Sequence, residues 1–162
     1  MKVTYIDPFI QSVQNLFSTT LGCETSYGDR ELNKGQFYPR DVTVVIGLSG
    51  PASGTISLSF PVATALAMVR RLLGMEIRVM DDTVSQALGK MANMIAVSAK
   101  GRIYGADGIP ISLSLPNVIR GNSYSVDYPP NSVWLDVPFT SELGSFSLRM
   151  TVGVEGQTET DE

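Results

Sequence analysis

The 162-residue chain contains no histidine, and this absence excludes several kinds of catalytic and metal site. Ser-His-Asp and Cys-His nucleophilic sites depend on an imidazole base, and zinc sites of the usual His-containing kinds need imidazole ligands. Any catalysis must therefore use amide, carboxylate or lysine side chains. We expect neither a metal site nor a cofactor of the protein's own.

Cysteine is also scarce, and no long hydrophobic run is present. The single Cys23 cannot form a disulfide within the chain, and an unpaired thiol is typical of a reducing compartment. The most apolar stretch, residues 62–73, is interrupted by Arg70 and Arg71, and the N-terminus lacks the apolar run of a signal peptide. These features predict a soluble, cytoplasmic protein with an inert thiol and no membrane segment.

Charge and nucleotide-binding motifs are equally limited. The net charge is -4 with no basic stripe, which argues against nucleic acid as a partner because its binding requires neutralised phosphates. No Gly-x-Gly-x-x-Gly or Gly-x-x-x-x-Gly-Lys-Ser/Thr run occurs. The composition therefore favours neither nucleic-acid nor nucleotide binding.

The chain does have enough apolar residues, 43% of the total, for one globular domain with a core. We assign residues 1–154 to this domain. Residues 155–162 are polar and acidic with no apolar anchor, which predicts a disordered tail.

Apolar periodicity predicts three helices. The first opens at Asp7-Pro8, with Pro at the first helical position, and ends at Gly22; the second runs from Pro61 to Leu73; the third covers residues 82–101, capped by Asp81 or Asp82. Strand patterns cover residues 42–48, 55–60, 111–119, 123–128, 132–139 and 145–154, and residues 24–40 read as irregular strand and loop. This order predicts an α/β fold of the α+β type, with helices packed on a mainly antiparallel β-sheet.

The third helix is amphipathic. One arc of the helix is apolar and is predicted to pack in the core: Val84, Ala87, Leu88, Met91, Met94, Ile95 and Ala99. The opposite arc is polar and is predicted to face solvent: Gln86, Lys90, Asn93 and Lys100. Ser85, Gly89 and Ala96 form a low shoulder beside the polar arc. Glycine within a helix costs about 1 kcal/mol relative to alanine, so we expect Gly89 to permit the close approach of a partner.

Residues 87–96, Ala-Leu-Gly-Lys-Met-Ala-Asn-Met-Ile-Ala, resemble the signature helix of the CheC/CheX/FliY family of chemotaxis phosphatases. The resemblance is greatest to the CheX branch and covers nearly the whole chain, including Tyr5-Ile6-Asp7-Pro8-Phe9 and Pro138-Phe139-Thr140-Ser141-Glu142-Leu143-Gly144. The family pattern is Asp or Ser, three residues, Glu, two residues, Asn, 22 residues and Pro. Asn93 and Pro116 match it with the 22-residue gap intact.

This resemblance implies a CheX-like single domain that binds the phosphorylated response regulator CheY and promotes its dephosphorylation. The family's Asn holds a water in line with the aspartyl phosphate, which makes Asn93 the candidate catalytic residue. The magnesium ion would be supplied by the regulator. The implied partner-binding residues are Gln86, Gly89, Lys90, Asn93 and Val97, and Pro116 has a structural role.

Two positions depart from the family pattern. Lys90 replaces the Glu that pairs with a lysine of the regulator, and Gln86 replaces the Asp or Ser. Two ammonium groups about 4 Å apart repel by roughly 4 kcal/mol at an effective dielectric constant of about 20. Asp82 precedes Asn93 by 11 residues, about 16 Å along a helix axis, too far to substitute. We therefore expect weakened or absent activity toward a standard CheY, or a partner in which an acid replaces the docking lysine.

Two other function classes remain open. The protein could be a non-catalytic module that binds a response regulator, which Lys90 favours, or a structural subunit of a signalling or flagellar-switch assembly. Resemblance to CheX also implies a homodimer built through sheet edges, since an open edge must be paired, covered or charged.

Overall fold

A computed structural model describes residues 3–34, 40–51, 53–121 and 133–152. The described helices are α1 (Ile6–Leu16), α2 (Val62–Leu73) and α3 (Asp82–Asp107); a 3₁₀ turn (Val3–Tyr5) precedes α1, and a π-helical turn (Phe17–Leu21) continues it to Gly22. The strands are β1 (Thr25–Tyr27), β2 (Glu31–Lys34), β3 (Val42–Ser49), β4 (Gly54–Phe60), β5 (Ser112–Leu113), β6 (Asn117–Arg120), β7 (Val133–Ser141) and β8 (Gly144–Val152). None of the helices in these ranges is both long and apolar enough to cross a membrane.

The described strands form one antiparallel sheet in the order β1-β7-β8-β4-β3-β5. Strand β2 lies beside β1 along the edge of β7, and β6 lies beside β5 along the edge of β3. The helices pack on the sheet, α2 against β4 and β8 and α3 against β3 and β6, while α1 packs on α3. The α+β class predicted from the sequence is confirmed.

Alternation along the strands explains which sheet face is buried. The alternate residues of β3, β4, β7 and β8 are buried in one core with the helices, among them Val42, Val44, Ile46, Ile56, Leu58, Phe60, Leu135, Val137, Phe139, Phe146, Leu148 and Met150. Within this core Phe146 stacks on Phe139 with ring centroids 5.0 Å apart and on Phe17 at 5.3 Å. The sheet and the end of the first helical segment are thus joined by aromatic packing.

Several predicted boundaries need correction. Helix α1 begins at Ile6, because the preceding 3₁₀ turn already starts the helical path, and Pro8 is its third residue. Helix α3 continues six residues beyond the predicted end, to Asp107, since Gly101 does not interrupt it. The tail at 155–162 and the strand predicted at 123–128 lie outside the described residues.

The strand predicted over residues 111–119 is wrong as a single element. It is split into β5 and β6, and the two pieces pair with β3 in different registers: Leu113 lies opposite Leu48, and Asn117 opposite Val45. Four steps along this segment therefore match three steps along β3, so one extra residue is accommodated, as in a β-bulge. Pro116 has no N–H to donate to a ladder, which explains why pairing stops there.

Candidate functional site

The beginning of α3 is fixed by a side-chain cap. Asp81 precedes the helix in an extended conformation, and its Oδ1 accepts a hydrogen bond of 3.1 Å from the backbone N–H of Val84. Its carboxylate also lies at the positive end of the helix dipole. Arg120 of β6 donates to the carbonyl of Met80 at 3.3 Å and to Asp82 at 3.4 Å. The start of α3 is thereby tied to the strand beside it.

The segment facing α3 is held equally firmly. Ser114 receives a 2.8 Å hydrogen bond on its Oγ from the Gly47 N–H, and its own N–H donates to the Gly47 carbonyl at 2.9 Å. Two residues further on, Pro116 lies against α3. The bulge between β5 and β6 therefore rests on β3 and presents Leu115 and Pro116 beside the helix.

An open cleft of about 450 Å³ lies between α3 and this bulge. It is lined by Ser85, Gln86, Gly89, Lys90, Asn93, Leu115, Pro116 and Val118. The structure thus brings Asn93 together with Gln86, Gly89, Lys90 and Pro116, which the sequence singled out. Val97, also predicted to bind the partner, lies outside the cleft lining one turn further along α3 and is 52% exposed.

The polar groups of the cleft are free to meet a partner. Within the part of the chain that the structure describes, the side chains of Gln86, Lys90 and Asn93 make no hydrogen bond or ion pair. Asn93 is half-buried, whereas Gln86 and Lys90 are exposed. The Ser85 Oγ is buried and has no hydrogen-bond partner among the described residues. The cleft therefore offers a partner the amides of Gln86 and Asn93 and the ammonium group of Lys90, whereas the Ser85 hydroxyl is shielded from solvent.

Gly89 forms the floor of this cleft, and the close approach that it permits is made by the chain itself. A Cβ built on Gly89 would lie 3.5 Å from Val118 Cγ2 and 3.7 Å from Pro116 Cβ. Gly89 is buried by this contact. The chain itself therefore already occupies the space beside Gly89, and a role of Gly89 in partner binding stays a prediction.

Two placements predicted around α3 are wrong. Met94 was expected in the core but is 39% exposed, and Ala96 was expected on the exposed shoulder but is 1% exposed. The buried arc is rotated toward Ala96 because the Pro116–Val118 segment covers the Gly89 side of the helix. Helical periodicity within α3 could not show which neighbour covers which side.

Leu115 is the residue that sequence reasoning missed. Leu115 is 88% exposed and lines the same cleft as Asn93. The available signal was its place directly before Pro116, since Pro in a strand pattern often marks a bulge or edge. An alternating pattern read through residues 111–119 instead treats residue 115 as part of a regular strand.

Among the residues that the structure describes, three side chains have raised pKa values, and none of them lines the cleft. Burial raises the pKa of Tyr5, with a further contribution from Asp107. Burial also raises the pKa of Cys23, assisted by Glu142, as expected for an inert thiol. Burial raises the pKa of the Asp136 carboxyl, partly opposed by Arg149.

Among the described residues, no group of three or more Cys, Asp and Glu side chains could hold a metal ion.

Comparisons with known proteins agree on one family. A family model described as chemotaxis phosphatase CheX matches residues 42–140. The CheY-P phosphatase CheX of Thermotoga maritima is 26% identical over 127 residues, covering 78% of this chain and 81% of that protein.

Solved structures share the whole fold. A chemotaxis protein CheX from Desulfovibrio desulfuricans has a TM-score of 0.81 and 26% identity, over 91% of this chain and 98% of the other. A chain of the CheX-CheY-BeF₃-Mg²⁺ complex from Borrelia burgdorferi has a TM-score of 0.76 and 24% identity, over 91% and 96% of the two chains. This second likeness concerns the fold alone.

Proposed function

The chain belongs to the CheX family of chemotaxis phosphatases, and on this premise we propose that it binds a phosphorylated CheY-type response regulator and promotes loss of its phosphate. The observation that carries the proposal is the amide of Asn93, which lies in the cleft between α3 and Pro116 and has no hydrogen-bond partner among the described residues. The similar protein of Thermotoga maritima is a CheY-P phosphatase. Because the Asn93 amide makes no hydrogen bond to the other described residues, it remains available to orient a water molecule.

The proposed reaction is hydrolysis of an aspartyl phosphate. The water oxygen attacks phosphorus, and the bond from phosphorus to the aspartyl oxygen breaks. The products are the free aspartate carboxylate and inorganic phosphate. Catalysis of phosphoryl transfer rests mainly on positioning and on charge stabilisation. The side-chain carbonyl oxygen of Asn93 would accept a hydrogen bond from the water and hold the water in line with the phosphoryl group. The regulator would supply the magnesium ion that stabilises the phosphoryl charge.

The surroundings of Asn93 support this role mechanically. Its helix is capped by Asp81 and tied to β6 through Arg120, and its neighbour Gly89 is packed under Pro116. An amide held on a rigid helix keeps a defined position when the partner docks, which reduces the entropy lost in aligning the water. Pro116 accordingly has a positioning role, because it packs against the helix and does not itself reach the reacting atoms.

The test is the rate of phosphate loss from the phosphorylated CheY of the same organism. We expect wild-type protein to accelerate it and Asn93→Ala to lose about a hundredfold of that acceleration, the size of effect seen when a reacting group is misplaced. Asn15→Ala is the matched control, since Asn15 is an exposed asparagine on α1, outside the cleft. Equal acceleration by wild type and Asn93→Ala would overturn the catalytic assignment.

A second candidate function is a docking module without catalysis, and Lys90 is the observation that favours it. An ammonium group replaces the carboxylate that the family uses in docking, so the water can be misaligned even when the regulator binds. Tight binding of phosphorylated regulator without faster phosphate loss would select this candidate. Absence of binding in either state of the regulator would contradict both.

A further inference from the structure

The charge of the cleft is reversed relative to the family pattern, and within the described chain nothing neutralises it. Lys90 has Gln86, Ala87, Asn93 and Met94 as its helical neighbours, and none is acidic. The other side chains lining the cleft are also uncharged. Lys90 is therefore an exposed positive charge at the mouth of the cleft.

The acid on α3 that shares this face of the helix is engaged elsewhere. Asp82 lies eight residues before Lys90, about 12 Å along the helix axis, and forms an ion pair with Arg120 at 3.4 Å. The separation of about 12 Å between Asp82 and Lys90 exceeds the electrostatic screening length of about 8 Å at physiological ionic strength. Asp82 cannot compensate Lys90.

An apolar rim adjoins this charge. Leu115 projects from the bulge with 88% of its surface exposed, although the residue before it is pinned to β3 by two hydrogen bonds. A partner that covers the cleft would bury this side chain and remove its apolar surface from water. The ammonium group and the leucine together define what a partner must present.

We propose that Lys90 is a specificity-determining residue, which selects a response regulator with a carboxylate opposite it and an apolar side chain that covers Leu115. This inference rests on the proposed function, because it concerns the same cleft. Complementary charge at an interface favours the matching partner and penalises one with a like charge. A regulator with a lysine at the docking position is thereby disfavoured.

Binding to CheY-type regulators of the same organism, activated with BeF₃⁻ and Mg²⁺, tests the inference by calorimetry or biolayer interferometry at 50 and 300 mM salt. For the regulator that binds, we expect Lys90→Glu to weaken binding about tenfold or more at low salt. Lys90→Gln should have a smaller effect and flatten the salt dependence. Leu115→Ser should weaken binding at both salt concentrations, because the apolar contact is not screened.

Lys100→Gln is the matched control, since Lys100 is exposed on the same helix, outside the cleft. It should change the affinity less than twofold. A charge-swapped pair, Lys90→Glu with the regulator's facing acid changed to Lys, should recover binding. Unchanged or tighter binding by Lys90→Glu would overturn the inference and leave the proposed function standing. Failure of every regulator to bind wild-type protein would instead count against the proposed function.

Discussion

At the residue scale, Gly89 shows how one position serves packing and the cleft together. The backbone of α3 meets Pro116 and Val118 there at distances that a single additional carbon could still occupy. Glycine is therefore not needed to avoid a clash with the chain itself, and it retains the helical cost of about 1 kcal/mol. The packing at this position can be tested with alanine, which adds one carbon to the side chain, and with valine, which adds three.

Gly89→Ala is expected to raise the free energy of unfolding by up to about 1 kcal/mol, because it gains helix propensity and fits at ordinary contact distance. Gly89→Val should lower it by about 1 to 3 kcal/mol through overpacking against Pro116 and Val118. Urea unfolding measures both changes. Gly101→Ala is the control, since its added carbon meets nothing within 4 Å. A loss of stability in Gly89→Ala without one in the control Gly101→Ala would contradict this account of the packing.

At the element scale, the hairpin of β7 and β8 carries a charged pair within the sheet. Asp136 lies opposite Arg149 in the register, and their side chains form an ion pair at 3.1 Å while about one fifth exposed. Glu31 of β2 is the residue opposite Asp136 on its other side. Burial and the repulsion from Glu31 raise the pKa of Asp136, and Arg149 lowers it without cancelling the burial.

This raised pKa predicts how stability changes with pH. In the range between the ordinary carboxyl pKa and the raised one, the native state binds more protons than the unfolded state. The contribution of Asp136 to the free energy of unfolding is therefore present at low pH and lost as the pH rises through the native pKa. The measurement is urea unfolding of wild type and Asp136→Asn from pH 4 to 7. We expect wild type to lose stability relative to the variant with rising pH, whereas a relative gain would mean that Arg149 outweighs burial.

At the scale of the whole molecule, the described sheet ends in short strands at both sides. β1 and β2 share one edge along β7, and β5 and β6 share the other along β3. Short edge strands limit uncontrolled pairing and still leave backbone groups for a partner strand. We propose that the molecule is a homodimer joined through its sheet edges.

Sedimentation equilibrium tests the homodimer. The expected mass is about twice the 17.5 kDa of one chain, since a symmetric interface pairs the same edge on both subunits. Leu32→Lys probes the β2 edge, where Leu32 is 63% exposed, and Leu73→Lys, on α2 and 41% exposed, is the control. A monomer at micromolar concentrations would contradict the proposal. A dimer insensitive to Leu32→Lys would place the interface away from the β2 edge.

The predictions from the sequence were most accurate where local chemistry decides structure. The starts of α2 and α3, the end of α2 at Gly74 and the β3–β4 hairpin were predicted to within about two residues, because caps, glycines and alternation act over a few neighbouring residues. The absence of histidine already limited the candidate chemistry to amides, carboxylates and amines. Asn93 and Pro116 were singled out through the resemblance to the family pattern, which they match with the 22-residue gap intact.

Long-range packing decided the rest of the site. The extra residue between β5 and β6 depends on β3, some 65 residues earlier in the chain, and no local pattern contains it. That bulge covers Gly89 and exposes Leu115. The sequence by itself determined which helix carries the candidate amide and which charge stands beside it. Only the tertiary structure determined that these groups line one cleft, because its opposite wall comes from a strand register set by distant backbone hydrogen bonds.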